Sequence, residues 1–255
     1  MRDRIALVTG AGAGIGRAIA LRLSKEGAAV VVADVDEESG AETVRRIEAD
    51  AGRGAFVLAD VATEAGAREM VEFAGRTFGG LDVLVNNAGG APEPHFPEAA
   101  PEHWLRTLDL NLRGVMLSIH FGLMAMRRRG GGVIVNISSM AGVGYQPYHA
   151  PEYAAGKAGV VRLTTSLAYL KENMGVRVNC ICPGWVETEA VHEALARMTE
   201  REHAAQSMPP PDVLIQPDEI ADAVGMFVRD DTLAGRVMIW PDGEQRRLVP
   251  IGAMP

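Results

Sequence analysis

Cysteine, lysine and aromatic side chains are all scarce in this sequence of 255 residues. The two cysteines, Cys180 and Cys182, stand two apart in an apolar run, so on a strand they point the same way. No His or Cys partner lies near them, which excludes a disulfide framework and reads as buried core thiols. A reducing compartment fits. No His/Cys/carboxylate cluster has ligand spacing, so no metal is expected. With 5% aromatics, aliphatic residues and alanine must fill the interior. No apolar run approaches the ~18 residues of a membrane span. The apolar stretch at the N-terminus is too short for a signal peptide, so a cytoplasmic location is expected. The formal charge of −8 argues against nucleic acid or an anionic membrane as partner. The one basic cluster, Arg127 to Arg129, precedes Gly130 and reads as cations on a helix's last turn.

What is present is alternation. Runs apolar on consecutive residues fall at Ile5–Val8, Ala29–Ala33, Ala55–Ala59, Val83–Asn86, Val133–Ile137, Val176–Ile181 and Val237–Trp240. Such runs suit parallel strands covered on both faces. Helical patterns fit Ile15–Glu26, Glu64–Thr77, Pro101–Arg129, Glu152–Asn173, Glu189–Ala205 and Pro217–Val228. Strand then helix, repeated, predicts an α/β fold: a Rossmann-type, doubly wound parallel sheet of about seven strands flanked by helices. No linker divides the chain, so residues 1–255 read as one domain. Ser207 to Pro211 cannot be helical in its middle and closes an excursion, a substrate lid at about 189–215.

The first strand runs into Thr9-Gly10-Ala11-Gly12-Ala13-Gly14-Ile15-Gly16. A glycine-rich turn between strand and helix lets backbone N–H groups approach a pyrophosphate at the helix N-terminus. Eighteen residues on, the second strand ends at Asp34, where an acid hydrogen-bonds the adenosine ribose hydroxyls. A 2′-phosphate would meet that carboxylate as a like charge, and no basic residue stands at Ala13, Ala33 or Val35 to receive it. NAD is therefore expected over NADP. Asp36 competes for the role from further into the loop.

These motifs and several others resemble the short-chain dehydrogenase/reductase family along nearly the whole chain. Thr9 to Gly16 has that family's TGxxxGxG form. Asp60-Val61 resembles its adenine-contacting pair, and Asn86-Asn87-Ala88-Gly89 its NNAG element lining the cofactor cleft. Asn111, Ser139, Tyr153 and Lys157 match its four catalytic positions. Pro183-Gly184-Trp185-Val186-Glu187-Thr188 matches its PGxVxT segment at the nicotinamide end. Two departures stand out. Ser139 precedes Tyr153 by 14 positions, one more than usual, with Ser138 the fallback; and Pro241-Asp242-Gly243 continues into Glu244 where the family more often has a second glycine.

The chemistry follows from spacing. Tyr153 and Lys157, four apart on a helix, share a face. A free phenol titrates near ~10, so a base at neutral pH needs neighbouring positive charge, here from Lys157 and the nicotinamide. Only three of the 25 basic residues are lysines, which makes the pairing less of a coincidence. Ser139 would hydrogen-bond the substrate oxygen. Asn111 would mark a helix opening that relays protons from Lys157. His95, Phe96, Met140, Tyr145, Tyr148, His149, Trp185 and His192 are expected around a largely apolar substrate pocket. The expected activity is hydride transfer between NAD(H) and a secondary alcohol or carbonyl. Alternatives are an NADPH-dependent carbonyl or 3-oxoacyl reductase and, from another class, a non-enzymatic NAD-binding regulator. The resemblance implies a homodimer or homotetramer and a small-molecule alcohol or carbonyl as partner.

Overall fold

The computed structural model describes residues 1–197 and 213–250. Eight strands form one sheet in the order β3-β2-β1-β4-β5-β6-β7-β8. They are β1 (Ile5–Thr9), β2 (Ala29–Asp34), β3 (Arg53–Leu58), β4 (Val83–Asn86), β5 (Gly132–Ile137), β6 (Val176–Pro183), β7 (Val237–Trp240) and β8 (Arg247–Leu248). Seven are parallel, at the expected places. The eighth, only two residues long, adds antiparallel to β7 and was too short to leave a pattern.

Helices cover both faces, and the strand residues alternate between two cores. Ala6 and Val8 of β1 face one core with Ile19 and Leu23 of α1 (Gly14–Lys25). Ile5 and Leu7 face the other with Met70 and Ala74 of α3 (Glu64–Phe78). Each such Leu or Ile contributes ~1.5–3 kcal/mol by leaving water. A helix absent from the periodicity, α2 (Glu37–Ala49), lies between β2 and β3. Its buried stripe is only Gly40, Thr43 and Ile47, too thin to show as an amphipathic pattern. Asp36 caps it, accepting from the Ser39 N–H at 3.0 Å.

Two expected long helices are interrupted. Pro101–Arg129 divides into α4 (Pro101–Leu108), a π-helical turn (Asp109–Arg113) and α5 (Gly114–Arg129), ended by left-handed Gly130 at φ 83°. Glu152–Asn173 divides into α6 (Pro151–Ser166) and α7 (Leu170–Met174). At the end of α6 the Thr164 and Thr165 hydroxyls bond back to the Val160 and Arg162 carbonyls, the habit that makes such residues poor helix continuers. After β6 come α8 (Glu189–Arg197) and then α9 (Pro217–Arg229). The expected lid falls partly on residues 198–212, outside the described residues. A parallel bridge joins Ile215 at its end to Val186, three residues before its start. Among the described residues no helix is long and apolar enough to cross a membrane.

Candidate active site

The C-terminal ends of the parallel strands open into one cleft of about 520 Å³, where open α/β sheets place ligands. One end is shaped by the glycine turn. Gly10 and Gly14 have φ of +61° and +49°, a region side-chain-bearing residues avoid. Ala13, the residue before α1, offers no side-chain cap, so the helix's first N–H groups have no side-chain partner there. Thr9 and Gly16 lie beneath the cleft rather than in it. The Thr9 hydroxyl accepts from the N–H groups of Asn87 and Ala88, both at 3.0 Å. The Asn87 amide donates to the carbonyls of Thr9 and Gly10 at 2.9 and 3.1 Å. Gly16 leaves room for Gly10 and Asn87. Gly10, Gly14, Ile15, Asn87, Ala88 and Gly89 line the cleft, as do Asp60 and Val61.

Asp34 stands beside this turn. Its Oδ2 accepts from the Gly12 N–H at 2.7 Å and its Oδ1 from the Asp36 N–H at 3.1 Å. A Cβ on Gly12 would sit 2.8 Å from Oδ2, so this approach requires glycine. Asp36 is spent on capping α2 and does not line the cleft. The nearby cation, Arg17, is engaged by the Gly12 carbonyl, by Thr43 at 3.1 Å and by Glu189 at 3.9 Å. Sequence reasoning did not single out Arg17; only the fold reveals that its guanidinium braces the turn. An uncapped helix start, a left-handed glycine pair and a carboxylate at the next strand's end together fit an adenine dinucleotide.

At the other end α6 brings Tyr153 and Lys157 to the cleft. Lys157 is buried, its Nζ donating to the Ile137 carbonyl at 3.0 Å and lying 5.6 Å from the Tyr153 ring centroid. Burial depresses its pKa to about 8, against the nearby thiols Cys180 and Cys182, which favour its charge. The phenol of Tyr153 is pushed up by burial, which outweighs the lowering from the Ser139 hydroxyl. The expected lowering by Lys157 is thus not a property of the protein alone: desolvation dominates a site this deep. Of the two serines, Ser138 is tied down, donating to the Lys157 carbonyl at 2.8 Å. Ser139 starts the turn Met140–Gly142, accepting from the Ala141 N–H at 3.1 Å, and lies against the Tyr153 hydroxyl.

Asn111 is fully buried in the π-helical turn, one layer behind the cleft. It exchanges hydrogen bonds with Gly90, donating to the carbonyl at 2.7 Å and accepting from the N–H at 3.2 Å, and donates to the Thr107 carbonyl at 2.9 Å. Gly89 fits between Asn111 and Lys157: its Cβ would meet their side chains at 2.8 and 2.9 Å. A second relay, from the Asn86 amide to Asn136 (2.8 Å) and from Asn136 to Thr164 (2.9 Å), ties β4 and β5 to α6.

Pro183, Gly184, Trp185, Val186 and Thr188 line the cleft. Asp242 joins them, accepting from the Trp185 N–H at 2.7 Å, so the departure after Pro241-Asp242-Gly243 leaves that contact intact. Burial raises the Asp242 carboxyl above its usual range, against the hydrogen bond from Trp185. Of the expected pocket residues, Met140, Tyr148 and Trp185 reach the cleft. His95 is half-buried outside the cleft lining, Phe96 and His149 are exposed, Tyr145 is 86% exposed, and His192 pairs with Glu187 at 3.4 Å on the surface. Leu110 and Val191 line the cleft without having been singled out. Each belongs to a helical pattern that gives no sign of facing a ligand.

The model of the short chain dehydrogenase family matches residues 4–199. The chain belongs to that family. Cyclohexanol dehydrogenase from Acinetobacter sp. is 37% identical, covering 90% of this chain and 89% of its own. Cis-4-hydroxycyclohexanecarboxylate dehydrogenase from Sinomonas cyclohexanicum is 40% identical over 89% and 90%. Human 15-hydroxyprostaglandin dehydrogenase [NAD(+)] is 34% identical over 93% and 91%. A solved short-chain type dehydrogenase/reductase from Mycobacterium marinum superposes with a TM-score of 0.86 at 28% identity, covering 95% of each chain. The protein is an oxidoreductase of a family that binds nicotinamide cofactors, NAD or NADP.

Proposed function

We propose that this short-chain dehydrogenase oxidises secondary alcohols with NAD, or reduces the matching ketones with NADH. The observation that carries the reading is one continuous cleft with Asp34 at one end and Ser139, Tyr153 and Lys157 at the other. The named activities of the relatives, all on secondary alcohols, support the substrate class. When bound, the cofactor supplies the hydride acceptor and a positively charged ring. Thr9, Gly10, Gly14, Ile15 and Gly16 form its pyrophosphate turn, Asp34 receives the ribose hydroxyls, and Asp60 and Val61 flank the adenine. Asn87, Ala88 and Gly89 line the middle. Pro183, Gly184, Val186 and Thr188 bound the nicotinamide end.

Tyr153 takes the alcohol proton, and Ser139 donates to the same oxygen as charge develops on it. Lys157, titrating near 8, is mostly protonated at neutral pH and favours the phenolate. Asn111 seats the Gly89–Gly90 backbone beside Lys157, and the π-helical opening around it is the route for the proton to solvent. Because the phenol must lose its proton first, alcohol oxidation rises toward alkaline pH.

Titration of the purified protein with NADH and NADPH tests the cofactor. Tighter binding of NADPH sinks the NAD assignment in favour of a reductase role. An alcohol panel with NAD tests the activity: turnover of none of them favours a binding protein of the same fold.

A further inference from the structure

The segment carrying the extra residue before Tyr153 folds into the cleft with Tyr148 at its wall. The Tyr148 ring lies 6.0 Å from that of Tyr153, the two planes inclined by only 26°. His149 packs against it at 4.5 Å and 35°, and His149 and His95 meet edge to face at 5.5 Å and 69°. His95 Nδ1 in turn hydrogen-bonds Glu152 Oε1 at 2.9 Å, and Glu152 Oε2 accepts from the Phe96 N–H at 3.4 Å. The contacts close a circuit from Glu152 back to its neighbour Tyr153. Glu152 is 5% exposed, unusual for a carboxylate, so the inner end of the circuit is buried while His149 stands at the surface.

Held between Tyr153 and His149, the ring is a preformed part of the cleft wall. The stacked phenols stiffen that wall, and Met140, Trp185, Leu110 and Val191 add apolar lining around the polar Ser139, Glu189 and Asp242. A preformed apolar wall favours the bulk of a rigid ring over a short chain that covers less of it. We infer that Tyr148 is a specificity-determining residue which, through its ring, selects alcohols borne on a carbocycle over small open-chain alcohols. The inference rests on the secondary-alcohol dehydrogenase reading above and names its substrate class.

The test compares the full-length protein with Tyr148→Ala and Tyr148→Phe, using NAD with cyclohexanol and with 2-butanol, and titrating NADH alongside. Tyr148→Ala is expected to lower kcat/KM for cyclohexanol about tenfold, chiefly through KM, and to change 2-butanol less than about threefold. Tyr148→Phe should stay within about threefold of the native protein on both, since the ring is kept. Equal losses on the two alcohols, with NADH binding unchanged, overturn the inference, because they mean Tyr148 merely positions Tyr153. Losses in Tyr148→Phe as large as in Tyr148→Ala also overturn it, by assigning the effect to the hydroxyl. If the native protein oxidises neither alcohol yet binds NADH, the dehydrogenase reading falls, and this inference with it.

Discussion

The two ends of the cleft are built in different ways. The cofactor end is made of backbone: left-handed glycines, an uncapped helix start and N–H groups directed at Asp34 and Thr9. The substrate end is made of side chains brought from distant segments: His95 onto Glu152 and His149, and the Asp242 carboxylate onto the Trp185 N–H. Backbone shapes recur wherever the same ligand backbone must be held, whereas side-chain circuits can be exchanged without disturbing the sheet. One scaffold can thus keep its cofactor while changing its alcohol.

The largest expected effect isolates the chemistry between the two ends. Tyr153→Phe should lower kcat about a thousandfold, or ~4 kcal/mol, within the usual range for losing a positioned base. NADH affinity should stay within about twofold, because the cofactor end is built without that hydroxyl. Steady-state kinetics beside a fluorescence titration check both. A matching collapse of NADH binding would show that the two ends are not separable.

Next comes the joint that holds them together. Asn136→Ala removes the acceptor of the Asn86 amide and the donor to Thr164, all fully or nearly buried. Leaving such groups unpaired costs about 3 kcal/mol, or roughly 6–12 °C in Tm for a chain of this size. Thermal unfolding measures it. A shift under about 2 °C would mean that water or a neighbour replaces both bonds.

A smaller effect belongs to the cofactor end. Asp34→Ala removes the charge that opposes a 2′-phosphate and frees the Gly12 N–H. The ratio of NADPH to NADH affinity should rise about thirtyfold, or ~2 kcal/mol, read by parallel titrations. An unchanged ratio would move cofactor choice to another residue.

The same contrast decides what the sequence could disclose. Thr9 to Gly16, Asp34, Tyr153 and Lys157 were legible because local spacing alone dictates their shape: a turn, a strand end, one helix face. That Ser139 lies against the Tyr153 hydroxyl while Ser138 donates to the Lys157 carbonyl needed the fold to be seen. Likewise the place of Asp36 as the cap of α2 was hidden, because that helix's apolar stripe is too thin to read. The upward shift of the Tyr153 phenol was invisible too. Spacing reports that a cation is near, but not how deeply both groups are buried. Glu152 shows the limit most plainly, being a charged residue at a helix start that any sequence reading sends to solvent, yet which His95 and Phe96 take inside.

Glu152 therefore gives the finest test of the comparison. Burial pushes its carboxyl up, but hydrogen bonds from its own N–H, from His95 and from the Phe96 N–H outweigh this and hold it below its usual 4.5. A carboxyl whose folded pKa is depressed stabilises the fold above its unfolded value, and loses that contribution as pH falls through the folded one. Glu152→Gln removes the charge and keeps the shape, so it should cost about 1 kcal/mol near pH 7. Going down in pH from about 4.5, the native advantage should shrink until the two Tm curves meet. NADH affinity should not change, since the circuit lies wholly at the substrate end. A Tm difference constant from pH 7 to pH 3 would assign the contact to packing alone. A loss of NADH affinity would mean that the side-chain circuit reaches across the cleft to the backbone-built end.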